Sequence, residues 1–283
     1  MKAEQYKVST SKTLISIVIY FLLFLAGNLL VALLFDLLFS FIKLPSRELY
    51  VIIRMIGTLL LTFFLFWFYT TKVLRLKMKD FGIAFNVKKW GVLLSVLLPA
   101  FVVIAFIIIG KTEINSYSSG KIILIVIASM ITALKAGILE EMLFRGFIMK
   151  LLENRWNKYI AILMPSFIFS LAHIPSMKAF SFGGVALLMI SGTLAGVMFS
   201  LVAYKGNSIG NSALMHAVWN FVMVTDVLQI AAAPEASSET IFSVTVASDS
   251  LLLTGGGFGM EASLIAMIGY ILICGYTILT REK

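Results

Sequence analysis

Two adjacent glutamates and an arginine lie in one of the most apolar parts of this 283-residue chain. They are Glu140, Glu141 and Arg145, in the segment AGILEEMLFRGFIMK that spans residues 136–150. Residues four apart share one face of a helix, so Arg145 can pair with Glu141 and orient it. Glu140 points about 100° away from Glu141 around the helix axis, which leaves it freer to face something else. If it faces water, Glu140 can act as a general base.

The only two histidines of the chain also lie in apolar segments. His173 ends SFIFSLAH, and His216 is the histidine of SALMHAVWNF. Phe169 precedes the first by four residues, and Asn220 follows the second by four. Beside a neutral histidine, a glutamate can take a proton from water, while a second histidine and an asparagine amide donate to an oxyanion. Together these residue types indicate hydrolysis of an acyl bond.

Each of these features alone also has a structural explanation. A Glu–Arg pair often neutralises the end of a helix, a lone intramembrane histidine can join two helices, and Asn220 alone would hold helices together. We interpret Lys135, Asp36 and Asn28 as snorkelling or packing residues. The catalytic interpretation therefore depends on the coincidence of the polar groups at supporting spacings in three different segments.

The composition predicts a membrane protein. Hydrophobic residues make up 60% of the chain and charged residues 13%, with a mean hydropathy of +1.00, whereas soluble domains are about half apolar and a quarter charged. We predict an all-α polytopic fold of about eight transmembrane helices around a water-filled cavity. The predicted spans are residues 14–41, 53–71, 90–110, 122–142, 159–177, 181–204, 207–227 and 261–280.

These boundaries raise a difficulty for the site. Glu140 falls near the cytoplasmic end of the fourth span, while His173 falls late in the fifth, which runs outward. Straight helices would keep the two apart. Pro165 and Pro175 bracket His173, so we expect a bent or shortened fifth helix. Irregular backbone is tolerated within a membrane where it lines a cavity, so we predict broken or steeply tilted helices.

The charge distribution predicts the topology. The net charge is +9, and basic residues are concentrated in the second loop, which predicts a cytoplasmic location for that loop and for both termini, in the cell membrane. The loop of residues 229–260 has no Lys or Arg and fits the outer face, whereas the loop with Lys43 and Arg47 fits less well. This charge reflects topology and anionic lipid, so we expect a lipid bilayer and no nucleic acid as partner.

The chain is predicted to be one membrane domain with four regions. Residues 1–120 form an N-terminal three-helix region, and residues 121–228 form the core that carries the motifs. Residues 229–260 form the outer loop, and residues 261–283 form the final helix and a cytoplasmic tail. The single cysteine, Cys274, excludes an internal disulfide.

The three polar motifs resemble those of the CAAX protease and bacteriocin-processing family, also called the Abi or type II CAAX prenyl endopeptidase family. That family has E-E-x-x-x-R, F-x-x-x-H and H-x-x-x-N on successive membrane helices. The same pattern occurs here, in order, over about residues 122–225, as Glu140-Glu141 with Arg145, Phe169 with His173, and His216 with Asn220. Phe144 and Gly146 also match the first motif.

The resemblance implies an intramembrane endopeptidase. It assigns water activation to Glu140 and His173, and oxyanion stabilisation to His216 and Asn220. It further implies a set of supporting residues: Glu141, Arg145, Phe144 and Phe169. The expected substrate is a membrane-associated polypeptide, with lipidated and hydrophobic peptides among the candidates.

Three alternatives remain open. Glu140, His173 and His216 are a plausible zinc set with an open fourth position. The chain has no H-E-x-x-H motif, and Glu141 would have to be the base while pairing with Arg145, so we favour a mechanism with no cofactor. A non-catalytic scaffold for bacteriocin immunity or signalling could retain the fold. A proton-coupled transporter would predict an inverted repeat, and the sequence shows none.

Overall fold

The structure, a computed structural model, describes residues 9–232 and 240–280. Its fold is all-α with one small sheet, which confirms the predicted class. The α-helices are α1 (Thr10–Phe41), α2 (Arg47–Phe68), α3 (Lys89–Ile109), α4 (Ser119–Glu141), α5 (Met149–Arg155), α6 (Lys158–Ala172), α7 (Phe182–Gly206), α8 (Gly210–Met223), α9 (Leu251–Thr254) and α10 (Leu264–Leu279). Both chain ends, and Glu235 and Glu239 of the outer loop, lie outside the described residues.

Each of the eight predicted spans contains a helix. Within the described residues, six segments are long and apolar enough to cross a membrane, whereas α8 has 14 residues and α10 has 16. Polar caps begin many of these helices, because a side-chain oxygen accepts a hydrogen bond from a backbone N–H of the first turn. These caps are Ser9, Ser46, Ser118, Asn157, Ser181 and Ser263.

The fourth span is longer than the sequence predicted. We placed its end at residue 142, but α4 continues through a π-helical segment, Met142–Ile148, directly into α5. Ser119–Arg155 is therefore one apolar segment of 37 residues. Arg145 does not mark a helix end, because its charge is buried and neutralised within the protein. A second π-helical segment, Tyr69–Val73, extends α2.

The fifth span is shorter than predicted. It was placed at residues 159–177, but α6 ends at Ala172 and a 3-10 turn, Ile174–Ser176, follows. Pro175 has no backbone N–H with which to continue the α-helical hydrogen bonds, which accounts for this end. Pro165 is accommodated within the helix.

These two corrections remove the expected separation of Glu140 and His173. Two residues connect α5 to α6, so Arg155 and Lys158 lie at a similar depth. Glu140 is 15 residues before Arg155, and His173 is 15 residues after Lys158. Equal numbers of residues thus separate Glu140 and His173 from that common level, which places the two at a similar height.

The short strands β1 (Lys111–Ile114), β2 (Leu228–Ala231) and β3 (Phe242–Thr245) form a sheet that the sequence did not predict. The strand order is β1-β3-β2, with β1 antiparallel and β2 parallel to β3. We call the end of the molecule that carries this sheet the sheet face. The opposite end, the basic face, carries the loop between α2 and α3.

Arg47, one of the two basic residues in the loop that fits the predicted topology less well, has an acidic partner. Its Nη2 lies 3.6 Å from Oδ2 of Asp226, which follows α8 at the sheet face. Its charge is therefore locally balanced and says little about topology.

Close packing of α4 against α8 and of α6 against α7 builds the core around the site. A Cβ atom at Gly137 of α4 would lie 2.7 Å from the carbonyl oxygen of Ala213 and 2.8 Å from the amide nitrogen of Ala217 on α8. A Cβ atom at Gly196 of α7 would lie 2.6 Å from Cβ of Ser166 on α6. These glycines let the helix backbones approach, which brings their polar side chains within contact distance.

Candidate active site

Glu141 and Arg145 form a fully buried ion pair. Nη1 of Arg145 donates to Oε1 of Glu141 at 2.8 Å, and both side chains are 0% exposed. Nη2 of the same arginine donates to the carbonyl oxygen of Gly196 on α7 at 3.0 Å. The pairing predicted from the spacing is therefore present, and it joins the α4 segment to α7.

Three aromatic rings surround the guanidinium of Arg145. Its Cζ lies 4.8 Å from the ring centroid of Phe169, 5.1 Å from that of Phe199 and 5.7 Å from that of Phe144. Each ring face attracts a cation at such distances. Phe199 also stacks on the imidazole of His216, with centroids 4.8 Å apart and ring planes 19° apart. Phe144 and Phe169 thus contact the arginine, and their supporting role stays a prediction.

His216 bridges the two glutamates. Its Nδ1 lies 3.0 Å from Oε1 of Glu141, and its Nε2 lies 3.9 Å from Oε2 of Glu140. A carboxylate oxygen accepts hydrogen bonds, so Nδ1 carries the hydrogen in this contact. The other ring nitrogen, Nε2, is thereby directed toward Glu140.

His173 lies at the C-terminal cap of α6. Its Nδ1 lies 2.7 Å from the carbonyl oxygen of Phe169, so Nδ1 carries the hydrogen and Nε2 is an acceptor. Its ring lies 4.4 Å from the Phe169 ring and 6.0 Å from the ring of Phe258. The backbone of its own helix therefore fixes the imidazole at the point where that helix ends.

One cavity of about 750 Å³ brings the four predicted catalytic residues together. Glu140, His173, His216 and Asn220 all line it. The side chain of Glu140 is 17% exposed, in contrast to its fully buried neighbour Glu141. Adjacent residues of one helix thus have the two environments predicted from their angular separation.

The cavity also contains a carboxyl group that the sequence reasoning missed. Glu261 lines it, and Oε2 of Glu261 accepts a hydrogen bond from Nε1 of Trp219 at 2.8 Å. Its backbone oxygen accepts from the hydroxyl of Tyr270 at 3.0 Å. Burial raises the pKa of the Glu261 carboxyl, and the Trp219 hydrogen bond opposes this shift. The sequence feature that could have identified Glu261 is its position as the first residue of the last predicted span.

The zinc alternative concerns Glu140, His173 and His216. Within residues 9–232 and 240–280, no group of three or more His, Cys, Asp or Glu residues is arranged to hold a metal ion. Nδ1 of His216 is engaged by Glu141, and Nδ1 of His173 faces a backbone carbonyl. Glu140, His173 and His216 thus share one cavity, and Nε2 is the remaining ring nitrogen of each imidazole.

Residues 120–222 match a family model described as Type II CAAX prenyl endopeptidase Rce1-like. The predicted family resemblance is confirmed. The matched segment runs from the beginning of α4 almost to the end of α8 and contains Glu140, His173, His216 and Asn220. It leaves α1–α3, the sheet and α10 outside the match. No curated protein matches the chain.

The match and the helices together support two statements at a coarse level. The protein is an integral, multi-pass membrane protein. Its similarity to the CAAX-type family supports an intramembrane protease at the level of the family.

Proposed function

We propose that this protein is an intramembrane endopeptidase that hydrolyses a peptide bond of a membrane-associated polypeptide. The observation that carries the proposal is the shared cavity, because Glu140, His173, His216 and Asn220 line one space although they come from three helices. A scaffold would have no need to turn Glu140 toward a cavity while neutralising Glu141 behind it. That contrast favours hydrolysis over the scaffold alternative.

In the proposed reaction, Glu140 and His173 hold the attacking water. The Glu140 carboxylate and Nε2 of His173 are both acceptors, so a water between them can donate one hydrogen to each. Its lone pair is then directed at the scissile carbonyl carbon. Glu140 takes a proton as the new C–O bond forms, and water becomes the hydroxyl of a tetrahedral intermediate.

In the same reaction, His216 and Asn220 stabilise the oxyanion. The side-chain amide of Asn220 donates directly. Nδ1–H of His216 is committed to Glu141, so donation from Nε2 requires the imidazolium form. The Glu141 carboxylate stabilises that cation from the far side of the ring. When the C–N bond breaks, the proton on Glu140 passes to the leaving amine, which restores the carboxylate.

No metal or other cofactor enters this proposal. The pairing of Glu141 with Arg145 at 2.8 Å supports the metal-free alternative, because Glu141 would have to act as the base if Glu140 were a zinc ligand. We also propose that the basic face and both termini are cytoplasmic. The sheet face would then be outside, and the substrate a lipidated or hydrophobic polypeptide that reaches the cavity from the membrane.

The direct test compares peptide termini from the native cell with wild-type protein and with Glu140→Gln at matched expression. We expect a set of new termini with wild type, reduced about 10²–10⁴-fold in the variant, as removal of a general base predicts. A matched control is Glu153→Gln, because Glu153 lies outside the cavity and pairs with Lys150 at 2.8 Å. Identical terminomes with wild type and Glu140→Gln would refute the catalytic proposal and favour the scaffold.

A further inference from the structure

Strand β2 lies at the edge of the small sheet. The strand order β1-β3-β2 leaves one side of β2 without a neighbouring strand among the described residues. An edge strand presents a row of backbone N–H and C=O groups that can pair with another extended chain. The location of this edge therefore decides what could pair with it.

The hydrogen bonds show which amides point away from the sheet. The carbonyl oxygens of Val227 and Ala231 accept from backbone amides of β3 and of the residue that follows it, at 3.0 and 2.8 Å. Backbone groups of successive residues in a strand point to opposite sides. The backbone N–H and C=O groups of Leu228 and Ile230 consequently point away from β3, toward the open edge.

That open edge borders the catalytic cavity. Residues 228–232 all line the cavity, whereas none of the β3 residues 242–245 does. If one face of the strand bordered the cavity, every second side chain would line it. Five consecutive residues along the lining instead indicate that the strand meets the cavity along its edge.

We propose that β2 binds the substrate by backbone pairing, as an added strand that leads an extended polypeptide past Glu140. This inference rests on the proposed peptidase function and adds how the substrate is held. A peptide bond must leave helical structure before water can attack it, and unpaired backbone is costly near a bilayer. Strand addition satisfies that backbone while demanding little of the side-chain sequence. The occupant is thus an unwound, extended segment of a membrane polypeptide.

The test uses proline at one open-edge amide, Ile230→Pro, in the full-length protein. Proline removes the N–H that would donate to the substrate but leaves the β3 pairing intact. We expect the termini that depend on Glu140 to decrease about tenfold, with Ile230→Val retaining them. Normal levels of these termini in a folded Ile230→Pro variant would overturn the inference.

The opposite edge of the same sheet provides a matched control. The amide of Asn115 donates to the carbonyl of Ile241 at 3.0 Å, so alternation places the amide of Thr112 on the outer side of β1. Strand β1 does not line the cavity. The Thr112→Pro variant should therefore still produce the termini that depend on Glu140. It controls for any general effect of proline on the sheet. An equal decrease in both variants would contradict pairing at β2.

A second measurement covers the case in which Ile230→Pro does not fold. A synthetic peptide that spans one of the Glu140-dependent cleavage sites is N-methylated at one amide at a time and incubated with wild-type protein. Strand pairing predicts that cleavage is lost at alternate positions, whereas equal tolerance at neighbouring positions would refute it. If wild-type protein yields no Glu140-dependent termini, the proposed function itself fails, and this inference fails with it.

Discussion

Two adjacent glutamates of one helix illustrate how this molecule separates support from chemistry. The buried cluster, defined as Glu141, Arg145 and the three rings around the guanidinium, lies behind the cavity. The cavity wall is formed by Glu140, His173, His216 and Asn220. Glu141 and Arg145 pair with each other and with backbone and are fully buried, whereas the side chain of Glu140 is 17% exposed and lines the cavity. His216 connects the two regions, since its ring nitrogens face one glutamate each.

This difference predicts which residues affect folding and which affect turnover. A buried charge that loses its partner remains in a low-dielectric environment and is strongly destabilising. A carboxylate that faces a cavity can be exchanged for an amide with little effect on packing. The two regions should therefore separate in experiments that measure stability and activity in parallel.

The largest expected effect on stability is that of Arg145→Met. Removal of the guanidinium leaves the Glu141 carboxylate buried without its cation, which should lower the free energy of unfolding by about 3–5 kcal/mol. Thermal unfolding in detergent micelles would measure it. Arg155→Met is the control, because Arg155 is at the surface and donates to Oγ1 of Thr10. Equal unfolding temperatures for the two variants would contradict the assignment of Arg145 to the buried cluster.

Asn220→Ala should have a somewhat smaller effect, and on turnover instead of folding. Loss of one oxyanion donor lowers kcat by about 10²–10³-fold, or about 2.7–4 kcal/mol. Turnover of a peptide derived from the terminome would be measured beside thermal unfolding. Asn28→Ala serves as the control, because Asn28 lies within α1 and donates to the carbonyl of Phe24. If Asn220→Ala changed thermal unfolding and left turnover unchanged, Asn220 would have a structural role instead.

Much of the fold could be predicted from the sequence, because the spacing of residues along a helix determines which side chains share a face. The four-residue separation of Glu141 and Arg145 predicted their ion pair, and the angular offset predicted the separate environment of Glu140. The catalytic roles of the residues on the cavity wall stay predictions, as does the division of the chain into regions.

The depth of the site could not be predicted from the sequence, because it depends on neutralisation of a charge by residues that are distant in the chain. Arg145 resembled the end of a span until the structure placed Gly196 and three rings around it. The sheet escaped prediction for a related reason. Its strands have four residues each, and β1 is separated from β3 by more than a hundred residues, so no local pattern indicates the pairing.

The smallest expected effect concerns Glu261, which contrasts with Glu141 in the charge of its partner. Burial raises the pKa of the Glu261 carboxyl above its ordinary value of 4.5, because the hydrogen bond from the neutral Trp219 compensates only part of the cost of burial. The folded protein then binds this proton more tightly than the unfolded chain, and stability falls as pH rises from about 4.5 through the folded pKa. Glu261→Gln keeps an oxygen acceptor for the indole and cannot ionise. Its unfolding temperature relative to wild type should therefore increase with pH.

Glu113→Gln is a control of opposite sign for this measurement. Its hydrogen bond from Lys111 lowers the pKa of the Glu113 carboxyl, so its contribution to stability is present above the ordinary pKa and is lost as pH falls. Full exposure makes that contribution small. Unfolding temperatures of the three proteins between about pH 4 and pH 8 would give both slopes. If the difference in unfolding temperature between Glu261→Gln and wild type did not vary with pH, the burial of the Glu261 carboxyl would be as well compensated as that of Glu141. The contrast between a neutral and a cationic partner would then fail.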